Sequence, residues 1–482
     1  MSPRPEDLPL SYRIPLPYSM LRVWWFYRRN PQDPFCYAGN FAFRIRGRLE
    51  IAKIIQAWEH LVERHEVLRT LFPEKDGAPC QVIQSKNELL WAFVDLTIYQ
   101  ESEREARFHQ RINEEKMKCH NLEAGPLFRI GIYRLDQEVH VMAIHIHHIL
   151  YDGVSTMTMF SELAYIYNSL ASETPILLPP PTQIADFAIW ERAHFTGSVM
   201  EELSEYWKQT LVGAPCRLEL PSDYPRKERQ AHSLKEYHFT MDPDLAEGVR
   251  NLNLQSGTTP FMVFLTALNL FICKQADKTD IVVGTWNANR HLAEHLEEML
   301  GCITNSIVFR CKLETMQSLS TALEQVRKVV LDVYDHQAMP FELLVQQMGY
   351  SYMPTHYPIF QVALNVHSEG EVRQRQHRRL AITPTPAQLL QWEPIDIGSR
   401  DSTNSLPETA QEVGGQDLAL SFTSIEETLK GHWEYNENLF TEDTICRWHK
   451  CYVRMLQILV NRPSLTVEKA MRDAGGFEND TP

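Results

Sequence analysis

The sequence has no long uninterrupted apolar run, no Cys-x-x-Cys pair and no excess of basic residues. Each absence excludes a class of function. No stretch approaches the roughly 20 apolar residues that a membrane-spanning helix needs. The amino end, Met1 to Leu10, carries Pro3, Pro5, Glu6 and Asp7 where a targeting segment would carry an apolar core. A cytoplasmic protein without membrane contact is therefore expected. Nine cysteines, Cys36, Cys80, Cys119, Cys216, Cys273, Cys302, Cys311, Cys446 and Cys451, are odd in number and scattered. That spacing argues against a metal site or a disulfide framework and for reduced, mostly buried thiols. A net charge of -15 argues against a nucleic-acid partner, which needs a clustered basic face. The one basic cluster, Arg373, Arg375, Arg378 and Arg379, reads as a solvated loop.

What is present is enough apolar material for two cores: 482 residues at 44% hydrophobic content predict two lobes. Ile51, Ile54, Ile55, Trp58, Leu61 and Val62 recur at helical spacing and lead into Arg64-His65-Glu66-Val67-Leu68-Arg69-Thr70. Val139 to His148 alternates as a buried strand, after which Ser155 is placed to cap a helix through Tyr167. Thr174 to Gln183, with Pro179-Pro180-Pro181, predicts an extended connector, so the lobes are expected at 1–180 and 181–482. Beyond it, helices are predicted for Glu201 to Leu211, Phe261 to Cys273 behind Thr259-Pro260, Leu319 to His336 and Thr441 to Val460. Strands are predicted for Ile281 to Trp286, Ser306 to Leu313 and Ile359 to Val366. The class is mixed α/β. Ile397 to Gln416, rich in Ser, Thr, Gly and acidic residues, reads as a mobile surface insertion.

The chemistry concentrates in His147-His148-Ile149-Leu150-Tyr151-Asp152-Gly153, where the alternating strand gives way to a turn. A lone histidine is more often a satisfied core residue than a working one. This full combination has a chance occurrence on the order of one in a thousand from the chain's own frequencies. Strand alternation turns adjacent histidines to opposite sides, so His148 can be presented to a cavity for proton transfer while His147 is held in the core. Acyl transfer is the indicated chemistry.

Seven segments in order resemble the motifs of condensation domains of nonribosomal peptide synthetases. Pro15 to Trp25 is similar to the first, with Pro17-Tyr18-Ser19-Met20 replacing the usual core. Arg64 to Thr70 matches the second, His147 to Gly153 the third and Asp186-Phe187-Ala188-Ile189-Trp190 the fourth. The fifth runs from Val283-Gly284 through Arg290 and Leu300-Gly301-Cys302-Ile303-Thr304-Asn305 to Arg310, without the usual aromatic pair after Gly301. The sixth is His336 to Glu342. The seventh is Pro358 to Val362 with Asn365, preceded by Thr355-His356-Tyr357 in place of Ser-Arg-Asn.

The resemblance implies an α/β pseudo-dimer of two chloramphenicol-acetyltransferase-like lobes forming a V with a central tunnel. Within it, an acceptor amine attacks a donor thioester, both carried on phosphopantetheine arms. No cofactor binds the domain itself. The implied partners are an acyl carrier protein as donor and a peptidyl carrier protein or small molecule as acceptor. His148 is the implied catalytic residue, either as general base or as the hydrogen-bond partner that orients the amine and stabilises charge. His147, Asp152, Gly153 and Arg290 are implied structural residues: Asp152 pairs with Arg290 across to the second lobe, and Gly153 lets the chain turn near the tunnel floor. Asn305 and Ser155 are tunnel candidates.

Asn287-Ala288-Asn289-Arg290 and the altered first motif resemble condensation domains that follow fungal polyketide synthases, where the donor is a polyketide. No adenylation signature or carrier serine motif is present, so partners act in trans or on the same longer chain. Alternative readings are an epimerising or ester-forming relative, a plant-type acyl-CoA transferase, whose Asp-Phe-Gly-Trp-Gly segment is absent, and a non-catalytic or product-release binding module.

Overall fold

Alternation along the strand Val139–His147 produces two differently packed faces. Met142, Ile144 and Ile146 enter a large apolar cluster with Phe41, Phe43 and Ile45 of the neighbouring strand Ala38–Arg46. Val141 and Ala143 join a smaller one with Ala42, Phe108 and Ile112. The strand stops at His147, one residue before the expected end, because His148 opens a short 3-10 turn, His148–Leu150.

The computed structural model describes residues 14–29, 38–85, 89–215, 217–226, 234–352, 356–368, 390–395, 397, 415–425 and 428–474. Pro3, Pro5, Glu6, Asp7, Cys36, Cys216, Thr355, the Arg373 to Arg379 cluster and most of the Ile397 to Gln416 segment lie outside the described residues. Of the other seven cysteines, Cys80, Cys273, Cys302 and Cys311 are buried. Among the described residues, no single helix is long and apolar enough to cross a membrane.

The chain divides into two compact units, and the division differs from a cut at residue 180. The first takes residues to Gly197, Ala288–Asn305 and the described part of 374–413; the second takes the remainder. The proline-rich stretch 174–183 lacks helix and strand, as expected, but the following helix Ile184–His194 still belongs to the first unit. A buried ionic cluster holds this stretch in place. Glu162 lies 2.5 Å from His65 Nε2 and accepts from Arg64 Nε at 3.1 Å; Arg64 Nη2 also donates to the Pro179 carbonyl. Gln183 donates to Arg64 O at 3.0 Å and accepts from Glu66 N at 3.1 Å.

The first unit is built on a five-stranded sheet ordered Gln391–Pro394, Ala38–Arg46, Val139–His147, Phe128–Asp136, Trp91–Asp95. Register places His147 opposite Ala38, Ile146 opposite Gly39, and His145 opposite Asn40. The amphipathic helix Ile51–Arg64 covers the large cluster with Ile54, Ile55, Trp58 and Leu61. Each such fully buried aliphatic side chain stabilises the fold by about 1.5–3 kcal/mol.

The second unit has a six-stranded sheet ordered Asn305–Lys312, Asp280–Asn287, Val362–Ser368, Leu418–Ile425, Thr428–Asn436, Leu234–Thr240. Thr259 caps the helix Pro260–Ala276 through Met262 N, as the Thr-Pro signal predicts. That helix lays Phe264 on Phe422, ring centroids 4.1 Å apart. On the sheet's polar residues, Asn365 accepts from Thr285 Oγ1 and donates to Ser421 Oγ, both at 3.3 Å.

The strand expected from Ile359 begins only at Val362. Ile359 has φ of 71°, which a β-branched residue adopts only where its surroundings impose it. Gln361 supplies part of that constraint: its Oε1 accepts from Leu218 N at 2.6 Å and its Nε2 donates to Tyr357 O at 2.8 Å.

Candidate active site

Both histidines sit at the strand end, in different surroundings. His147 Nδ1 accepts from Ile149 N at 3.2 Å, which fixes the 3-10 turn and places the ring's proton on Nε2. Its ring meets the edges of Tyr27 and His120 at 5.7 and 5.9 Å. Burial, reinforced by His120 and His148, holds its pKa well below the usual histidine value, so it stays neutral. His145, further back, lies with Nδ1 2.6 Å from Asn40 Oδ1, and burial pushes it down to about 3. His148 follows the strand and stacks on Tyr151, centroids 4.7 Å apart and planes 21° off parallel.

Asp152 is the N-cap of the long helix Gly153–Ala171. This corrects the expectation that Ser155 caps a helix ending at Tyr167: the cap lies three residues earlier and the helix runs four residues further. A carboxylate there satisfies first-turn N–H groups and suits the positive helix end. Asp152 Oδ1 accepts from Ser155 N at 2.9 Å, Ser155 Oγ at 2.8 Å and Arg290 Nη2 at 2.7 Å. Its Oδ2 accepts from Ile303 N at 3.1 Å and Thr304 Oγ1 at 3.4 Å. Both side chains of the ion pair are nearly inaccessible, at 2% for Asp152 and 3% for Arg290. Arg290 Nε and Nη1 are buried and have no hydrogen-bond partner among the described residues.

The pair therefore exists, but it does not join the second unit. Ala288–Asn305, which carries Arg290, belongs to the first unit with Asp152. Ser155 also differs from its expected place as a tunnel residue. It is wholly buried, its Oγ accepting from Gly301 N at 3.1 Å and Arg290 Nη2 at 3.2 Å, while its one hydrogen faces Asp152 Oδ1 or Gly301 O. Gly153 is the first helical residue and not a left-handed turn position. Asn305 is buried where the last first-unit segment opens a strand.

Residues outside the expected site set support this loop. Gly301 has φ of 145°, and a Cβ there would fall 2.6 Å from Ile184 Cδ1, so only glycine fits. The altered first and fifth motifs meet: Ser19 Oγ donates to Cys302 O at 2.9 Å. Tyr18 N donates to Glu191 Oε2 at 2.7 Å, and Arg192 lies 3.6 Å over the Tyr18 ring. Burial pushes Glu191 up to about 7, against the opposing effects of the Tyr18 hydrogen bond and Arg192. The only forward signal for these contacts was glycine inside strand or loop patterns.

His148, itself buried, stands beside a locked loop. Among the described residues, no group of three or more His, Cys, Asp and Glu side chains is arranged to hold a metal ion.

Comparison with known proteins places this arrangement. The family profile described as "Condensation domain" matches residues 19–473. A linear gramicidin synthase of Brevibacillus parabrevis is 31% identical over 464 residues, covering 95% of this chain and 6% of that protein. Phosphinothricin tripeptide synthetase PhsC of Streptomyces viridochromogenes is 31% identical over 450 residues, covering 92% and 38%. The chain thus spans well under half the length of these relatives. Among solved structures, the X-domain in complex with OxyB from teicoplanin biosynthesis superposes with a TM-score of 0.82 at 22% identity, over 98% of this chain and 97% of that one. The fold is the chloramphenicol-acetyltransferase-like α/β fold that the resemblance implied.

Proposed function

Because this chain belongs to the condensation-domain family of nonribosomal peptide synthetases, we propose that it joins a carrier-bound acyl thioester to an acceptor amine. The donor acyl group leaves the phosphopantetheine sulfur of an acyl carrier protein as the acceptor nitrogen attacks its carbonyl carbon. The C–N bond forms, the C–S bond breaks, and the amine proton leaves with the thiol. The acceptor is an aminoacyl group on a peptidyl carrier protein or a small amine.

The observation that carries the reading is the placement of His148 on a turn whose neighbouring Asp152 is fully engaged in holding the loop. A single positioned imidazole suffices for this reaction. An amine is a good nucleophile and a thioester a good electrophile, so orientation supplies on the order of 7 kcal/mol or more, and proton transfer or hydrogen bonding by His148 adds about 100- to 10,000-fold. Asn287-Ala288-Asn289-Arg290 and the altered first motif support a polyketide as the donor chain.

The test is amide formation from synthetic acyl and aminoacyl thioesters by the intact chain. Product with native protein and its loss in His148→Ala support condensation; no product across short, long and β-keto acyl donors refutes it. A second reading, a binding module that holds a carrier or another enzyme without turnover, draws on the TM-score of 0.82 to an X-domain solved in complex with OxyB. Stable capture of a carrier protein without amide formation would favour it.

A further inference from the structure

We infer that Tyr151 is a positioning residue for His148, and that Gly39 is glycine in order to seat the Tyr151 ring. The inference rests on the proposed role of His148.

An imidazole that acts on a reacting group needs something to fix its plane, since the terminal torsion of histidine is broad. In a Ser-His-Asp arrangement a carboxylate does this. Here Asp152, the acid of the same motif, has both oxygens committed to Ser155, Arg290, Ile303 and Thr304. Tyr151 supplies a planar alternative. Its ring lies 4.7 Å from the His148 ring at 21°, a separation that leaves no room for the imidazole to swing toward it.

The ring that holds the imidazole is itself held. Phe41 meets it edge-on at 5.4 Å and is backed by Phe160 at 5.5 Å. At its far end, the hydroxyl reaches the backbone of the Ala38–Arg46 strand at Gly39. A Cβ on Gly39 would stand 1.8 Å from the hydroxyl oxygen and 2.7 Å from the ring carbon that bears it. Any other residue at 39 would displace the ring from this seat. Glycine weakens a strand interior, and close approach of a ring accounts for its presence here. The Tyr151 hydroxyl is buried and has no hydrogen-bond partner among the described residues, so the ring face, and not the hydroxyl, makes the connection to His148.

The experiment uses the intact chain with acyl and aminoacyl thioesters, together with crystal structures of the variants. Tyr151→Ala lowers kcat by a factor on the order of 10 to 100 while KM changes little, and its imidazole occupies more than one orientation. Tyr151→Phe restores most of the turnover and the single orientation. Tyr151→Leu, which keeps apolar bulk without a planar face, behaves like the alanine variant and stands in for it if that variant does not fold. Gly39→Ala lowers kcat in the native background and adds little further loss to Tyr151→Ala. Native turnover in Tyr151→Ala or Tyr151→Leu, or an unchanged imidazole orientation in both, overturns the inference. The two proposals fail separately: absence of amide formation by the native chain refutes condensation, whereas the crystallographic comparison decides the role of Tyr151 whether or not the chain turns over.

Discussion

Arg290 Nη2 donates to Asp152 Oδ1 at 2.7 Å inside one compact unit, with both side chains almost completely shielded from water. The contact ties the segment Ala288–Asn305 to the loop after His148. The same carboxylate caps a helix and receives Ile303 N, so one side chain fixes three pieces of backbone.

Removing either partner strands a buried charge. Asp152→Ala and Arg290→Ala should each destabilise the protein by about 3–5 kcal/mol, and the double mutant should lose less than the sum. Chemical denaturation of the four proteins measures this; strictly additive losses would show that the pair is not coupled.

The two adjacent histidines should separate activity from stability. His148→Ala should reduce amide formation at least 100-fold with a native melting temperature. His147→Ala leaves Ile149 N without its acceptor and should lower stability by about 1–3 kcal/mol. The reverse pattern in paired activity and melting measurements would exchange their roles.

Glu191 makes stability fall with rising pH. Its folded pKa, raised to about 7 from 4.5 chiefly by burial, means that the native state retains a proton that the unfolded chain releases. The stabilising contribution is complete below about 4.5 and is lost as pH rises through about 7, a change of roughly 3 kcal/mol. Glu191→Gln should flatten the stability profile across that window and still accept from Tyr18 N. An unchanged slope in denaturation from pH 4 to 8 would assign the dependence elsewhere.

Gly301→Ala should destabilise the loop on two counts, the φ of 145° and the 2.6 Å approach to Ile184 Cδ1. A loss of about 1–3 kcal/mol is expected for the backbone conformation alone. Adding Ile184→Ala should relieve the clash but not the φ, giving partial rescue in thermal melts. Full rescue would mean that the backbone is unstrained.

The sequence determined the elements and the motif because these depend on local periodicity. Alternation from Val139, the helical spacing from Ile51 and the Thr259-Pro260 start each found its element within a few residues. The ordered motifs fixed the family and singled out His148, Asp152 and Arg290. The resemblance implied that Asp152 pairs with Arg290, but only the tertiary structure placed both in one unit and brought Ile303, more than a hundred positions away, to the second carboxylate oxygen. Ser155 read as a tunnel residue until Gly301 closed over its hydroxyl. Tyr151 reads as a spacer between histidine and aspartate because its stacking on His148 depends on the turn that follows the strand, and Gly39 carries no signal because its contact with Tyr151 reaches in from a neighbouring strand. The unit boundaries were hidden for the same reason: Ala288–Asn305 packs with a part of the chain to which no local pattern connects it.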